Sequence, residues 1–382
     1  MNILFTTDTY LPNINGVVTS IENYRKNLQS LGHNLFVVAP KYPSYKFQEH
    51  VIPVGSVPFL GEKEYRSSIP FKILLKKKWS KLNIDVIHTH TIFNLGIFGY
   101  YIAKRLHIPL IHTYHTYYEE YVHYLRMPQA ISKPAARIYS RDYLNKCDLI
   151  IAPSQKIIDV LKEYRVKKKI VLLPTGIEDV KKYSGEAVKS FKMKFQKTSK
   201  TKILLYTGRI AREKNLELII KAFINLINEG LDVVLLLVGD GPRKKDLQKL
   251  ADSEDMSDCI YFTGYIPHEE IGLYYLISDL FLFSSVTDTQ GLVILEAFSY
   301  GLSVVAVEAG PTSELVENGV NGLLTKNNEY DFFQKIKNII CDEKLLNELK
   351  SKKDEKISEL SISKQCLKLL NFYKEVINEK NK

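Results

Sequence analysis

Short apolar runs, each β-branched or aromatic in character, alternate with longer amphipathic stretches along almost the whole chain. Runs of about four to eight such residues bounded by turn signals suit strands buried on both faces, and the amphipathic stretches between them suit covering helices. The alternation therefore predicts an α/β chain built from βα units around parallel sheets. Strands are expected at Asn2–Thr6, Asn34–Ala39, Val86–Thr89, Leu110–Thr113 and Leu149–Ala152. The pattern breaks near Thr175, passes through Gly176, Gly185 and a Lys- and Thr-rich stretch, then restarts. The second set falls at Lys202–Thr207, Val233–Val238, Ile260–Thr263, Leu280–Ser284, Ser303–Val307 and Gly322–Thr325.

Two α/β domains follow from that break: 1–175, a linker at 176–200, and 201–360. From Ser361 to Ile377, Ile362, Cys366, Leu369, Leu370, Tyr373 and Ile377 recur at helical spacing, so 361–382 reads as a terminal helix that needs a surface to pack on. A length of 382 residues with 45% hydrophobic and 11% aromatic content excludes disorder and a disulfide-stapled mini-protein. The four cysteines form no C-x-x-C pair, as expected for a reducing compartment. The start of the chain lacks the basic and small-residue features of an export signal, and the longest stretch without Asp, Glu, Lys or Arg carries His88, His90, Asn94, Gly96 and Gly99, unlike a bilayer span.

Charge is distributed unevenly. The net charge is +10, but residues 1–175 carry +12 and the remainder −2. The first half is thus expected to face something anionic: nucleic acid, acidic lipid or a phosphorylated substrate. No basic motif with base-stacking aromatics appears, which argues against nucleic acid.

Ser284–Ala309 carries the densest chemistry. A strand ends, a polar loop delivers Asp288, Thr289 and Gln290, and Gly291 with Leu292 opens a helix whose free amides can hold an anion. The alternative is a plain β-loop-α turn capped by Asp288. Asp288 and Glu296 on one continuous helix would be ~12 Å and ~80° apart, too far to flank one scissile bond as a hydrolase dyad. They suit two parts of an elongated ligand.

Upstream, Arg209 follows a strand and Lys214 comes five residues later, a guanidinium fork and an ammonium that suit a diphosphate, unless Arg212 and Glu213 merely pair in a solvated loop. The G-x-G of Gly239 and Gly241 is a weak signal. Gly16, in the loop after the first strand, allows close backbone approach to a ligand or serves an ordinary turn. His88, His90, His112 and His115 cluster at strand ends, without the spacing of a zinc site. Finally, Ser67–Leu82 reads as a basic amphipathic helix: Phe71, Leu74, Leu75, Trp79 and Leu82 share one face, and Lys72, Lys76 and Lys77 lie off it. Such a helix either lies on an anionic membrane or buries its stripe in the domain.

Together these segments resemble the retaining glycosyltransferases of family 4, over nearly the whole chain. The carboxylate pair eight residues apart after a strand is the family's most specific mark, here Asp288 where the family carries Glu, followed by Glu296. The resemblance implies the GT-B architecture: two Rossmann-like doubly wound α/β domains facing a central cleft, with the terminal helix packed back on the first domain. It places the donor diphosphate on Arg209 and Lys214, the amides of Gly291 and Leu292 on the donor, Glu296 on the ribose, Gly16 near the diphosphate and His115 near the donor sugar. His115, Asp288, Arg209 and Lys214 are the implied catalytic set. The segments HTHT, HTYHTYYEEYVHY and TQGLVILEA are similar to those of bacterial diacylglycerol glucosyltransferases, although Ile92 stands where relatives often carry an acid.

The expectation is transfer of a hexose, glucose by resemblance, from a UDP-sugar to diacylglycerol or its monoglycosyl form, with retention and without metal or other cofactor. The enzyme would sit peripherally on the cytoplasmic membrane face, its anionic surface met by Phe71, Lys72, Lys76, Lys77 and Trp79. The alternatives are the same donor chemistry on a polysaccharide, protein or other soluble acceptor, or nucleotide-sugar epimerisation.

Overall fold

A computed structural model describes residues 1–59, 66–70, 77–125, 127–351 and 355–382. The chain forms two compact units: Met1–Gly176 together with Leu360–Lys382, and Ile177–Glu359.

In the first unit the strands are β1 (Asn2–Thr6), β2 (Asn34–Pro40), β3 (Val51–Val54), β4 (Ser56–Pro58), β5 (Arg66–Ser68), β6 (Val86–Thr89), β7 (Leu110–Thr113), β8 (Leu149–Ala152) and β9 (Ile170–Leu172). Seven make a parallel sheet in the order β3-β2-β1-β6-β7-β8-β9, while β4 and β5 form a small antiparallel ribbon. The core strands are apolar on both faces because both are covered. Ile3 and Phe5 pack with Ile21, Leu28, Leu369 and Tyr373. Leu4 and Ile87 pack on the other side with Leu95, Phe98 and Ile102.

The terminal helix Ile362–Lys380 belongs to this first layer, with Cys366, Leu369 and Tyr373 fully buried. Gly176 lies beneath its start. A Cβ added there would stand 2.4 Å from the Cα of Ile362, so the crossing admits no side chain.

The second unit repeats the plan with β10 (Lys202–Thr207), β11 (Val233–Val238), β12 (Ile260–Gly264), β13 (Leu280–Phe283), β14 (Ser303–Val307) and β15 (Gly322–Thr325). Its sheet is also parallel, in the order β12-β11-β10-β13-β14-β15. Leu204 and Tyr206 face the core of the Leu216–Asn228 and Glu329–Cys341 helices, and Ile203 and Leu205 face the opposite one. Of the 176–200 stretch expected as a linker, all but Gly176 is folded into this unit. Its Gly185–Lys192 helix, capped by Ser184, sets Phe191 against Tyr274 with ring centroids 5.0 Å apart.

Each sheet reverses its winding once, between β1 and β6 and between β10 and β13. Ligands of open α/β sheets bind outside the carboxyl ends of strands at such switch points, which locates the candidate site within each unit.

The expected amphipathic helix at Ser67–Leu82 requires correction. Among the described residues of that stretch, Ser67 and Ser68 belong to β5 and Lys77–Leu82 forms a short 3-10 helix. Trp79, assigned to the membrane, is 4% exposed and packs edge-on against Phe98 at 5.3 Å. An indole so enclosed stabilises the domain and has no surface to offer a bilayer. Phe71, Lys72 and Lys76 lie outside the described residues. No helix among the described residues is long and apolar enough to cross a membrane.

Candidate active site

In the second unit, β10 ends at Thr207 and the chain turns through Gly208 to Arg209. The turn is held by the neighbouring strand's loop: Gly208 N–H donates to the Val238 carbonyl at 2.9 Å and Ile210 N–H to the Asp240 carbonyl at 2.8 Å. Gly239 makes this apposition possible, since a Cβ there would lie 1.9 Å from the Gly208 oxygen. The G-x-G signal thus supports the Arg209 loop. Tyr206 Oη donates to the Arg209 carbonyl at 3.0 Å, and the Arg209 guanidinium meets Glu213 at 3.3 Å, so Glu213 takes Arg209 as a partner.

Lys214 and Asp288 are brought together directly. Their Nζ and Oδ1 stand 2.6 Å apart, both side chains largely enclosed. Ser285 Oγ also donates to Asp288 Oδ1, at 2.5 Å, and Ser284 Oγ to the Lys214 carbonyl at 2.7 Å, tying the loop after β13 to the loop after β10. Burial pushes the Lys214 ammonium down, but Asp288 and neighbouring acidic groups outweigh it and its pKa ends above the usual lysine value. It is a firm cation at neutral pH.

Gly291 sits in the left-handed region, φ 75°, immediately before the Leu292–Ser299 helix. That conformation favours glycine, and the amides at the helix start, Leu292 among them, have no acceptor within the helix. One turn on, Glu296 Oε2 accepts from Tyr275 Oη at 2.8 Å, and Tyr275 Oη meets Thr207 Oγ1 at 2.6 Å. Because the tyrosine has one proton and spends it on the carboxylate, Thr207 is the donor in the second bond. Burial, then the Glu296 charge, pushes the Tyr275 phenol well above its ordinary range. Asp288 is therefore anchored through Lys214 to the loop after β10, and Glu296 through Tyr275 to Thr207 at the end of that strand. Tyr275 was not foreseen: in LYYLIS nothing marks one tyrosine as a carboxylate's support.

In the first unit, Gly16 begins the Gly16–Ser30 helix, whose Val17 and Val18 amides are taken at 3.0 and 3.1 Å by Asn15 Oδ1. Asn15 Nδ2 donates in turn to Thr9 Oγ1 at 2.9 Å, so the loop is held from within. His115 follows β7, and its Nε2 lies 2.9 Å from Nδ1 of His90, which follows β6. His88 is satisfied on both ring nitrogens, by Tyr373 Oη and Thr113 Oγ1, each at 2.7 Å. His112 Nδ1 meets Thr89 Oγ1 at 2.8 Å. These two histidines are structural. Asp8, at the end of β1, accepts from Leu95 N–H at 3.0 Å and Thr91 Oγ1 at 2.6 Å, capping the Asn94–Leu106 helix. Burial raises its pKa to about 6 even though those hydrogen bonds oppose the shift.

Among the described residues, no group of three or more His, Cys, Asp or Glu side chains is arranged to hold a metal ion. The second unit offers two cations, the amides of a helix start and two braced carboxylates, a set that complements a diphosphate joined to a hydroxyl-bearing group.

Residues 14–181 match the model of Glycosyltransferase Family 4, and residues 188–356 that of Glycosyl transferases group 1. The chain is 35% identical over 330 residues to an alpha-monoglucosyldiacylglycerol synthase of Streptococcus pneumoniae, covering 85% of this chain and 75% of that protein. It is 33% identical over 343 residues to a synthase of the same description from Acholeplasma laidlawii, covering 86% of each. It is also 28% identical to a GDP-mannose-dependent alpha-mannosyltransferase of Corynebacterium glutamicum, covering 99% of this chain and 89% of that protein. Among solved structures, Anabaena HepE in complex with UDP and glucose superposes with a TM-score of 0.80 at 18% identity, covering 98% of this chain and all of the other.

Proposed function

The chain belongs to the glycosyltransferases of family 4, with the GT-B fold, and from that premise we propose that it moves glucose from UDP-glucose to diacylglycerol, or to its monoglycosyl form, at an anionic membrane surface. The observation that carries the donor half is the braced pair at the β10–β13 switch point: Lys214 against Asp288, and Glu296 held by Tyr275. In this reading Lys214 and Arg209 bind the diphosphate, the Leu292 amide adds a donor, and Glu296 accepts from the ribose hydroxyls. Lys214 and Arg209 stabilise the charge that builds on the diphosphate as the sugar leaves. The leaving diphosphate takes the acceptor proton on the face from which it departs, so configuration is retained. Asp288 keeps Lys214 charged and oriented, and His115 faces the donor sugar. No step requires a metal.

The acceptor half is supported by the likeness to the two synthases and by the +12 charge of residues 1–175. Membrane attachment in this reading is assigned to Lys72, Lys76 and Lys77 and to the positive charge of residues 1–175, with Trp79 inside the fold.

The test is incubation of the purified protein with UDP-glucose and diacylglycerol in vesicles containing anionic lipid, followed by lipid analysis. An α-linked glycolipid is expected. Its absence with every diacylglycerol, together with transfer to soluble acceptors when vesicles are omitted, would contradict the acceptor assignment. Activity with GDP-mannose in place of UDP-glucose would contradict the donor assignment and favour the likeness to the mannosyltransferase.

A further inference from the structure

His90 lies four residues before the start of the helix that Asp8 caps and is fully buried, yet no ligand reaches it directly in the reading above. Its ring and that of His115 are nearly parallel, 19° apart, with centroids separated by 5.2 Å and Nδ1 of His90 2.9 Å from Nε2 of His115. With N···N so short and the centroids so far apart, the rings meet edge to edge, close to one plane, rather than face to face. This is the geometry of an in-plane N–H···N hydrogen bond.

Such a bond between two neutral imidazoles has one donor and one acceptor. Neutrality is favoured on both sides. Burial, then the neighbouring imidazoles, pushes His90 well below the ordinary histidine value, and burial takes His115 to about 3. The direction of the bond is decided at the far end of His90. Its Nε2 is buried and finds no hydrogen-bond partner among the described residues. If His90 accepted at Nδ1, its proton would sit on that Nε2 as an orphaned donor. If it donates from Nδ1, Nε2 holds only a lone pair. Buried orphan donors are the rarer case. Phe5, edge-on to His90 at 4.5 Å, and His88, stacked on it at 4.3 Å, fix the ring in place.

We propose that His90 is a positioning residue that sets the tautomer of His115: it donates from Nδ1–H to His115 Nε2, so that His115 holds its own proton on Nδ1. His115 then presents a fixed N–H donor, and its Nε2 is withdrawn from proton transfer. The consequence for catalysis rests on the reading that His115 faces the donor sugar, where such a donor would bind a sugar hydroxyl without acting as a base. His88 and His112 are excluded from this role because hydroxyl partners hold them within the fold.

The test begins with the wild-type protein labelled with 15N in its histidine rings. Long-range proton–nitrogen correlation at neutral pH, with His115 assigned through His115→Ala, is expected to show a protonated Nδ1 and a bare Nε2. The opposite pattern overturns the proposal without any further variant. His90→Phe keeps a ring but removes the donor, and should shift His115 toward the Nε2–H form. His90→Asn places an amide donor where Nδ1 stood, and should restore the wild-type pattern. A His115 tautomer indifferent to His90→Phe also overturns the proposal.

In turnover, His90→Phe should lower kcat about tenfold while UDP affinity stays within about twofold, with recovery in His90→Asn. A loss confined to KM would contradict the positioning role. If the wild-type protein shows the stated tautomer but transfers no sugar, the functional reading fails and the assignment of His90 stands.

Discussion

Tyr275→Phe isolates the support of Glu296 from everything else in the second unit. The ring is 1% exposed and lies flat on Tyr300, 6° from parallel with centroids at 5.2 Å, and phenylalanine keeps that stack. What is lost is the hydroxyl, its 2.8 Å bond to the Glu296 carboxylate and its 2.6 Å bond from Thr207. A hydrogen bond to a charged acceptor contributes about 1.5–3 kcal/mol, and the stranded Thr207 donor adds to the cost, so stability should fall by about 2–3 kcal/mol. For a unit of this size that corresponds to roughly 4–10 °C in Tm, read by calorimetry. Glu296, no longer braced, should hold the pentose less well, raising the Kd for UDP about tenfold in titration calorimetry. Pyrophosphate, which lacks the pentose, should bind within about twofold of wild type. Equal losses for UDP and pyrophosphate would refute the division of labour between Glu296 and the cations. No change in either stability or UDP affinity would refute the bond itself.

Three further outcomes are expected. Lys214→Gln should weaken UDP and pyrophosphate alike, about ten- to hundredfold, because it removes a charged donor to the diphosphate itself; calorimetric titration of both ligands checks this, and unchanged pyrophosphate binding would count against the assignment. Asp8 has its pKa raised from 3.8 to about 6, so the native state binds its proton more tightly than the unfolded chain does. Its contribution to stability is complete below about pH 4 and is lost as pH rises through about 6. Asp8→Asn keeps a helix-capping oxygen but does not titrate, so denaturant melts should show its stability gaining on wild type by about 2–3 kcal/mol between those limits. The single tryptophan, Trp79, should keep its emission when anionic vesicles are added, and Trp79→Ala should cost about 3–5 kcal/mol; a vesicle-induced spectral shift in the folded protein would contradict its burial.

The eleven strands expected from the pattern were legible because central parallel strands are apolar on both faces and stand out as continuous runs, such as Leu280–Phe283. The sequence-level reading missed β3, β9 and the β4–β5 ribbon. All four are short and carry exposed or half-buried residues, with Pro53 and Pro58 inside two of them. At the candidate site, Arg209, Lys214 and Gly291 could be found because each follows a strand end or opens a helix, and Glu296 because its spacing from Asp288 matches the family's carboxylate pair. Their partners could not. Lys214 and Asp288 are 74 positions apart in sequence, and Tyr275 reaches Glu296 from a different helix. The amphipathic reading of Ser67–Leu82 failed at Trp79 for a related reason: an apolar stripe looks the same in sequence whether a bilayer or Phe98 covers it. The cluster of histidines was visible as a cluster, but its division into structural rings and a coupled pair depends on Thr113, Thr89 and Tyr373, which only the fold brings near.

A crystal structure of the protein with UDP bound bears most directly on the donor site. The account requires the diphosphate oxygens within hydrogen-bonding distance of the Arg209 guanidinium and Lys214 Nζ, and the ribose hydroxyls on the Glu296 carboxylate while Tyr275 still holds it. Nucleotide bound elsewhere in the second unit, or bound with Lys214 and Glu296 turned away from it, would contradict the account.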